Sequence, residues 1–438
     1  MSEFSVVHPN CAGIDIGSEK IFIGVENKEV VNFGTFTDDY LRAISFLKEH
    51  NIVHVVMEAT GVYWITLYSM LEEAGFKVRL VNGREVKNLS GRKSDVADCQ
   101  WLRQLHTYGL LKASYVPDDK IRELRTYRRL RSDHIQMAST HIKHMQKALE
   151  LMNIKLHNVI SKINGVSGMR IINAILAGER SPELLAEFCE SSILKNKREK
   201  VIASLKGNYK EEYLFLLKQA KEAYEFYQIQ IEECDKQIEK LLNEMTKDLP
   251  KPDKITLPKP IRHNKPKIDD LHTKLMILTE GKDPSRITGL TDKLLLELIS
   301  ETGINLKETW PTDKHFTSWL KLAPGKHQSG KVSKKRRLKA HTRAGQIFME
   351  AALSIANSKY TALSGFYRRI KAKKGFKVAL KATARKIAVL YYNIMTEGID
   401  YVEEGLEKYQ ERFIKQRLSR LKKQAKYFGL ELVPIGCQ

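Results

Sequence analysis

The sequence predicts an α/β domain joined to an all-α remainder. Short apolar runs of strand length alternate with amphipathic helical runs across residues 8–115, which predicts the first part. Two long seams of apolar residues, at alternating spacings of three and four, predict the second. On patterning, the 438-residue chain divides into an α/β domain at 8–115, a helical, coiled-coil region at 116–247, a Pro/Lys-rich linker at 248–267, a mostly helical domain at 268–398 and a basic tail at 399–438.

Residues 12–17 read as a first strand, 18–20 as a turn, 21–25 as a second strand and 29–36 as a third, together a β-meander. Thr37 reads as the N-cap of a helix over 38–50, where Tyr40, Leu41, Ile44 and Leu47 recur at helical spacing. Residues 53–57 are a short, mostly apolar strand, as suits one covered on both faces. A helix over 62–74 stops at Gly75, and a strand follows at 76–81. Ser94 then caps a helix ending near Gly109. Three strands followed by helix, strand, helix, strand and helix imply one mixed sheet.

The first seam runs from Ile121 to Met152 and is interrupted by Arg128 and Arg131; the second runs from Leu217 to Met245. Long helices with such seams pair as coiled coils, with each other or between subunits, or pack into a helical bundle. Gly165 and Gly289 each sit in a turn ahead of an apolar helix, either a backbone grip on phosphate or an ordinary interhelical turn. Residues 406–426 are basic and amphipathic.

Lys and Arg number 74 against 52 Asp and Glu, a formal net charge of +22. Such a balance favours a polyanionic partner, above all nucleic acid. The five cysteines show no CxxC pair and read as reduced thiols. Neither a signal pattern nor a run of ~18 apolar residues is present. The expectation is a cytoplasmic, nucleoid-associated protein that does not enter a membrane.

Four acids stand out against this basic background. Asp15 lies within the apolar run Gly13-Ile14-Asp15-Ile16-Gly17, and Glu58 ends another. An ionised carboxylate inside an apolar strand is costly unless something compensates it. Asp95 and Asp98 are three apart at a helix start and share a face. Convergent hard oxygen ligands suit Mg²⁺ or Mn²⁺ better than Zn²⁺. Arg92 and Lys93, just ahead, either contact a phosphate or simply open the helix. The second constellation is Trp319 to Lys331, with Pro324-Gly325 and Ser329-Gly330 marking a loop. No acid interrupts the stretch from Lys326 to Arg343, which holds Lys331, Lys334, Lys335, Arg336, Arg337 and Lys339. These cations read as a nucleic-acid-binding surface. Ser329 in such a loop is either a phosphate contact or a nucleophile, with Ser333 as the competing hydroxyl. His327 and His341 flank it as a general base or as phosphate contacts.

Taken together, the two constellations resemble the DEDD-type bacterial insertion-sequence transposases, the family that includes the Piv site-specific invertases. The residues carrying the resemblance are Asp15, Glu58 in Met57-Glu58-Ala59-Thr60-Gly61, Asp95 and Asp98 in Lys93-Ser94-Asp95-Val96-Ala97-Asp98, Gly165-Val166-Ser167-Gly168-Met169, and Trp319 to Gly325 followed by Ser329-Gly330-Lys331.

The resemblance implies an RNase H-like (RuvC-like) N-terminal domain and a C-terminal transposase domain that supplies a nucleophilic serine. It further implies a structured non-coding guide RNA that pairs with donor and target DNA. It also implies a composite active site shared between subunits, hence a homodimer pairing into a tetramer. Asp15, Glu58, Asp95 and Asp98 then hold Mg²⁺, while Ser329 attacks a DNA phosphate to give a phosphoserine link and a free 3′-OH. A Piv-like invertase, a water-using Holliday-junction nuclease and an inert DNA-binding descendant are the alternatives.

Overall fold

The computed structural model describes residues 5–83, 95–329, 332–336, 342–398 and 405–432, with side chains described at all of these except 95, 96, 325–329 and 332–336. Outside the described residues lie Arg92, Lys93, the expected cap Ser94, Lys331, Arg337, Lys339, His341 and Cys437. The chain forms two compact units, Met1–Val116 and Pro117–Gln438.

The first unit is a five-stranded mixed sheet. β1 (Cys11–Ile16), β2 (Lys20–Gly24) and β3 (Val31–Gly34) form the antiparallel meander. After α1 (Thr37–Glu49), β4 (His54–Glu58) returns parallel to β1. After α2 (Trp64–Glu73), β5 (Lys77–Val81) lies parallel to β4. The strand order is β3-β2-β1-β4-β5. The third strand is shorter than its sequence predicts. Thr37 lies inside α1 rather than capping it; the Asp39 carboxylate caps instead, accepting from the Phe36 N–H at 3.1 Å.

Alternation along the strands sorts side chains onto two faces. Ala12, Ile14 and Ile16 of β1, with Val55 and Met57 of β4, pack against Tyr40, Ile44 and Leu47 of α1 and Leu67 and Leu71 of α2. On the opposite face Val56 and Val81 pack against Leu102 and Leu105 of α3 (Asp95–Thr107). Gly13, Asp15, His54 and Glu58 have the parity of this second face. β1 and β4 are therefore covered on both sides, which accounts for their near-continuous apolar character.

The second unit is mainly helical. α4 (Asp119–Leu151) is followed by α5 (Val166–Leu176), α6 (Pro182–Ala186), α7 (Ser191–Ser204) and α8 (Glu211–Thr246). α4 and α8 run antiparallel, with Lys120 beside Glu244, Arg131 beside Asp235 and His141 stacked on Tyr227. The two seams thus pair within the chain. The arginines that interrupt the first seam have buried acidic partners. The Nη2 of Arg131 donates to Asp235 Oδ2 at 3.2 Å, and Arg128 pairs with Glu301.

Beyond the Pro/Lys-rich stretch come α9 (Leu271–Leu278), α10 (Asp292–Thr302), α11 (Leu306–Thr309) and α12 (Asp313–Trp319). A hairpin of β6 (Gly325–Ser329) and β7 (Val332–Arg336) follows. α13 (Arg343–Ile355), α14 (Ala362–Lys374), α15 (Phe376–Glu397) and α16 (Leu406–Tyr427) complete the unit. Phe316 of α12, Phe348 of α13 and Tyr391 of α15 meet in its aromatic core. No helix among the described residues is long and apolar enough to cross a membrane.

Candidate active site

Backbone contact without side chains brings α3 against the sheet. Gly13 and Gly24 are Cα partners across β1 and β2. A Cβ on Gly13 would stand 2.1 Å from the Cys99 carbonyl oxygen and 2.7 Å from the Arg103 nitrogen. A Cβ on Gly24 would press on the Gln100 side chain at 3.0 Å and the Cys99 sulfur at 3.2 Å. The two glycines make a flat bed that α3 occupies; glycine inside a strand often marks such a close approach. Polar ties fix the helix there. Gln100 Nε2 donates to the Val25 carbonyl at 3.1 Å, and Arg103 lies 3.7 Å from Glu26.

This docking determines which acids share a face. Asp15 stands two residues beyond Gly13 on the same face of β1 and is half-buried. Glu58 is the last residue of β4 and also half-buried. The parallel register pairs Ile14 with Met57, so Asp15 and Glu58 follow side by side at the carboxyl ends of adjacent strands. Gly83 makes room for the second carboxylate: a Cβ there would fall 1.8 Å from Glu58 Oε1. Asp95 opens α3, and Asp98, one turn on, is exposed. Buried Cys99 reports the proximity of two of these acids. Burial pushes its thiol up to about 11, and the charges of Asp15 and Asp98 add to the rise.

The structure therefore brings Asp15 and Glu58 onto one sheet face with Asp98 on the helix packed over that face. Asp95 shares the helix by its backbone position. Carboxylate oxygens are donors of the kind a hard divalent cation takes. Sequence reasoning missed the supporting glycines Gly13, Gly24 and Gly83; for Gly13, a glycine in the middle of an apolar strand was the signal available, whereas Gly83 lies beyond β5 and carried none.

Ser329 belongs to the second unit, and here the expected loop is corrected. Residues 325–329 and 332–336 are paired strands, with Ser329 the Cα partner of Val332 and Ser333 that of Gln328. Two short polar runs separated by two residues that include a glycine are a hairpin signal, and the absence of apolar alternation concealed it. Lys326 and Lys335 are Cα partners, as are His327 and Lys334, while Gly325 partners Arg336. The base of the hairpin is closed by Thr342, whose hydroxyl accepts from the Gly345 N–H at 2.9 Å and donates to the Leu320 carbonyl at 3.4 Å. Arg343, exposed, opens α13.

Comparison with known families identifies both regions. Residues 12–154 match a DEDD-type IS110 model described as Transposase, and residues 285–368 match the model of the Transposase IS116/IS110/IS902 family. The chain is an enzyme, a DNA transposase/recombinase. Its two matched segments are transposase domains of the IS110 family, whose members serve insertion sequences. Domains of the DEDD type are typically metal-dependent and fit an RNase H-like fold. A comparison with curated proteins gives no match.

Proposed function

We propose that the enzyme cuts and rejoins DNA at a Mg²⁺- or Mn²⁺-dependent site built from Asp15, Glu58, Asp95 and Asp98 on an RNase H-like domain, with Ser329 as nucleophile. The observation that carries this reading is the placement of Asp15 and Glu58 at adjacent strand ends beneath the helix that bears Asp95 and Asp98. A bound divalent ion would neutralise phosphate charge and stabilise the attacking and leaving oxygens of an in-line displacement. The carboxylates hold and orient it. The glycine bed keeps α3 at the distance this needs.

In this reading the Ser329 hydroxyl loses its proton and forms a phosphoester bond to DNA phosphorus, and the bond from phosphorus to a deoxyribose 3′-oxygen breaks. The released 3′-OH later attacks the phosphoserine of the exchanged strand and frees the serine. Bond energy is conserved, so no nucleotide cofactor is required. The hairpin supports the reading through its cations: like charges paired across a ladder are unfavourable unless an anion lies against them. Lys326, Lys331, Lys334, Lys335, Arg336, Arg337 and Arg343 are the candidate contacts to DNA or RNA phosphates. Guidance by a structured RNA and a homodimer pairing into a tetramer are what the family resemblance implies; the net charge of +22 favours a polyanionic partner in general. The domain boundaries at 115, 247, 267 and 398 belong to the same proposal.

The test is a covalent adduct. The protein is purified with its co-expressed element RNA, mixed with Mg²⁺ and labelled target DNA, denatured and mapped by mass spectrometry. A DNA adduct on Ser329, missing in Ser329→Ala and in Asp15→Asn, is expected. Cleavage without an adduct, undiminished by Ser329→Ala, would assign attack to water and remove the serine step.

A further inference from the structure

Three histidines lie on the α3 face at the opposite end from the carboxylates. His8 precedes β1, His54 opens β4, and His106 sits in the last turn of α3. One ring nitrogen from each lies within 4.8 Å of the other two. The His8 and His106 rings stack at 4.5 Å between centroids, and His54 is 5.0 Å from His8. His106 is fully buried, and neither of its ring nitrogens has a hydrogen-bond partner among the described residues. The buried Nδ1 of His54 is orphaned as well. Buried polar atoms of native proteins are nearly always satisfied, so three such nitrogens in one cluster require an explanation.

We infer that His8, His54 and His106 form a second metal site, one for a late first-row divalent ion such as Zn²⁺, separate from the carboxylate site. Three imidazoles with a fourth position left open are an established ligand set for such ions, whereas Mg²⁺ seeks oxygen. Ligation needs neutral rings, and burial disfavours the charged form of all three. At Zn–N lengths of ~2.0–2.1 Å, ligand nitrogens stand ~3.3 Å apart, so nitrogens within 4.8 Å of one another close by at most ~1.5 Å.

Among the described residues, Arg79 and Lys77 are cations whose charges act on the cluster. Their charge opposes a bare dication and favours an anion, hydroxide or chloride, in the fourth position. The bound ion would join three elements. The segment ahead of β1 is already held by the Val7 and His8 N–H groups, which donate to the Thr107 carbonyl at 2.8 and 3.0 Å. A metal there would brace the carboxyl end of α3 against β4, at the far end from Asp95 and Asp98. The inference does not depend on the roles proposed for those acids.

The test uses full-length protein stripped of metal and titrated with Co²⁺, then with Zn²⁺. Co²⁺ on three nitrogens in a tetrahedral site absorbs strongly in the visible, whereas Co²⁺ on carboxylates and water absorbs weakly. A strong visible spectrum is expected, displaced by Zn²⁺ and retained in Asp15→Asn. In His8→Ala and His54→Gln the Co²⁺ affinity falls at least ~10–100-fold with an unchanged far-ultraviolet circular dichroism spectrum. Zn²⁺ raises Tm in the wild type and not in His8→Ala. Should His54→Gln fail to fold, His8→Ala decides alone, since it alters only the segment ahead of β1. No strong spectrum in the wild type, a spectrum that survives His8→Ala at full affinity, or one that Asp15→Asn abolishes would each overturn the inference.

Discussion

The two units treat acidic side chains in opposite ways. In the helical unit Glu301 and Asp235, the partners of the arginines that interrupt the first seam, are enclosed and matched. The Glu301 side chain is 5% exposed and receives Arg125, Arg128 and Arg129, and Asp235, 1% exposed, receives Arg131. In the sheet unit Asp15 and Glu58 stay half-buried at the rim of the sheet, beneath the start of a helix that brings further acids. The difference shows which charges serve architecture. A guanidinium that closes over a carboxylate in the interior fixes how helices pack, whereas Asp15 and Glu58 stand at strand ends where the proposed function places a ligand.

Breaking the enclosed cluster should have the largest effect on stability. Glu301→Ala leaves three arginines around an empty position, two of them largely buried, and should cost on the order of 3–5 kcal/mol, measured by urea unfolding of the full chain. The same cluster should respond to acid. Burial alone would raise the Glu301 carboxyl, but Arg129, Arg128 and Arg125 outweigh it and hold the group below the usual carboxylate range. Its contribution is therefore present above the ordinary Glu value of ~4.3 and is lost as pH falls through the lowered value of the folded state. Wild-type Tm should drop more steeply than that of Glu301→Gln below about pH 4; parallel curves would refute the assignment.

The glycine bed offers a graded comparison within the sheet unit. Gly13→Ala would press on helix backbone, which cannot yield, and should cost ~1–3 kcal/mol while lowering metal affinity at the carboxylates. Gly24→Ala meets mainly side-chain atoms at 3.0 Å or more and should cost less. Thermal unfolding and Mn²⁺ titration of both variants check the order. Equal effects would mean that the close approach at Gly13 does not set the position of α3.

Much of this was legible beforehand, for identifiable reasons. The strands of the sheet unit were read from short apolar runs bounded by turn residues, and their ends shifted by at most one residue except at β3, where each end moved by two. Asp15 and Glu58 were conspicuous because a charge inside an apolar strand breaks a strong local pattern. The β6–β7 hairpin was not legible, since its strands are polar on both faces and carry no period-2 signal. The partners of Arg128 and Arg131 lie more than 100 residues away in sequence, at Glu301 and Asp235, so the two interruptions could be seen but not explained. The three histidines come from three separate elements and follow no spacing rule; only the packing of α3 on the sheet assembles them.

The central claim is that the rim carboxylates bind a divalent cation in the folded enzyme. Direct Mn²⁺ binding, followed by electron paramagnetic resonance on full-length wild type, Asp15→Asn and Glu58→Gln, tests it most directly. Either substitution should weaken Mn²⁺ binding by on the order of 10²-fold or more, with circular dichroism unchanged. Wild-type Mn²⁺ affinity in both folded variants would contradict the account.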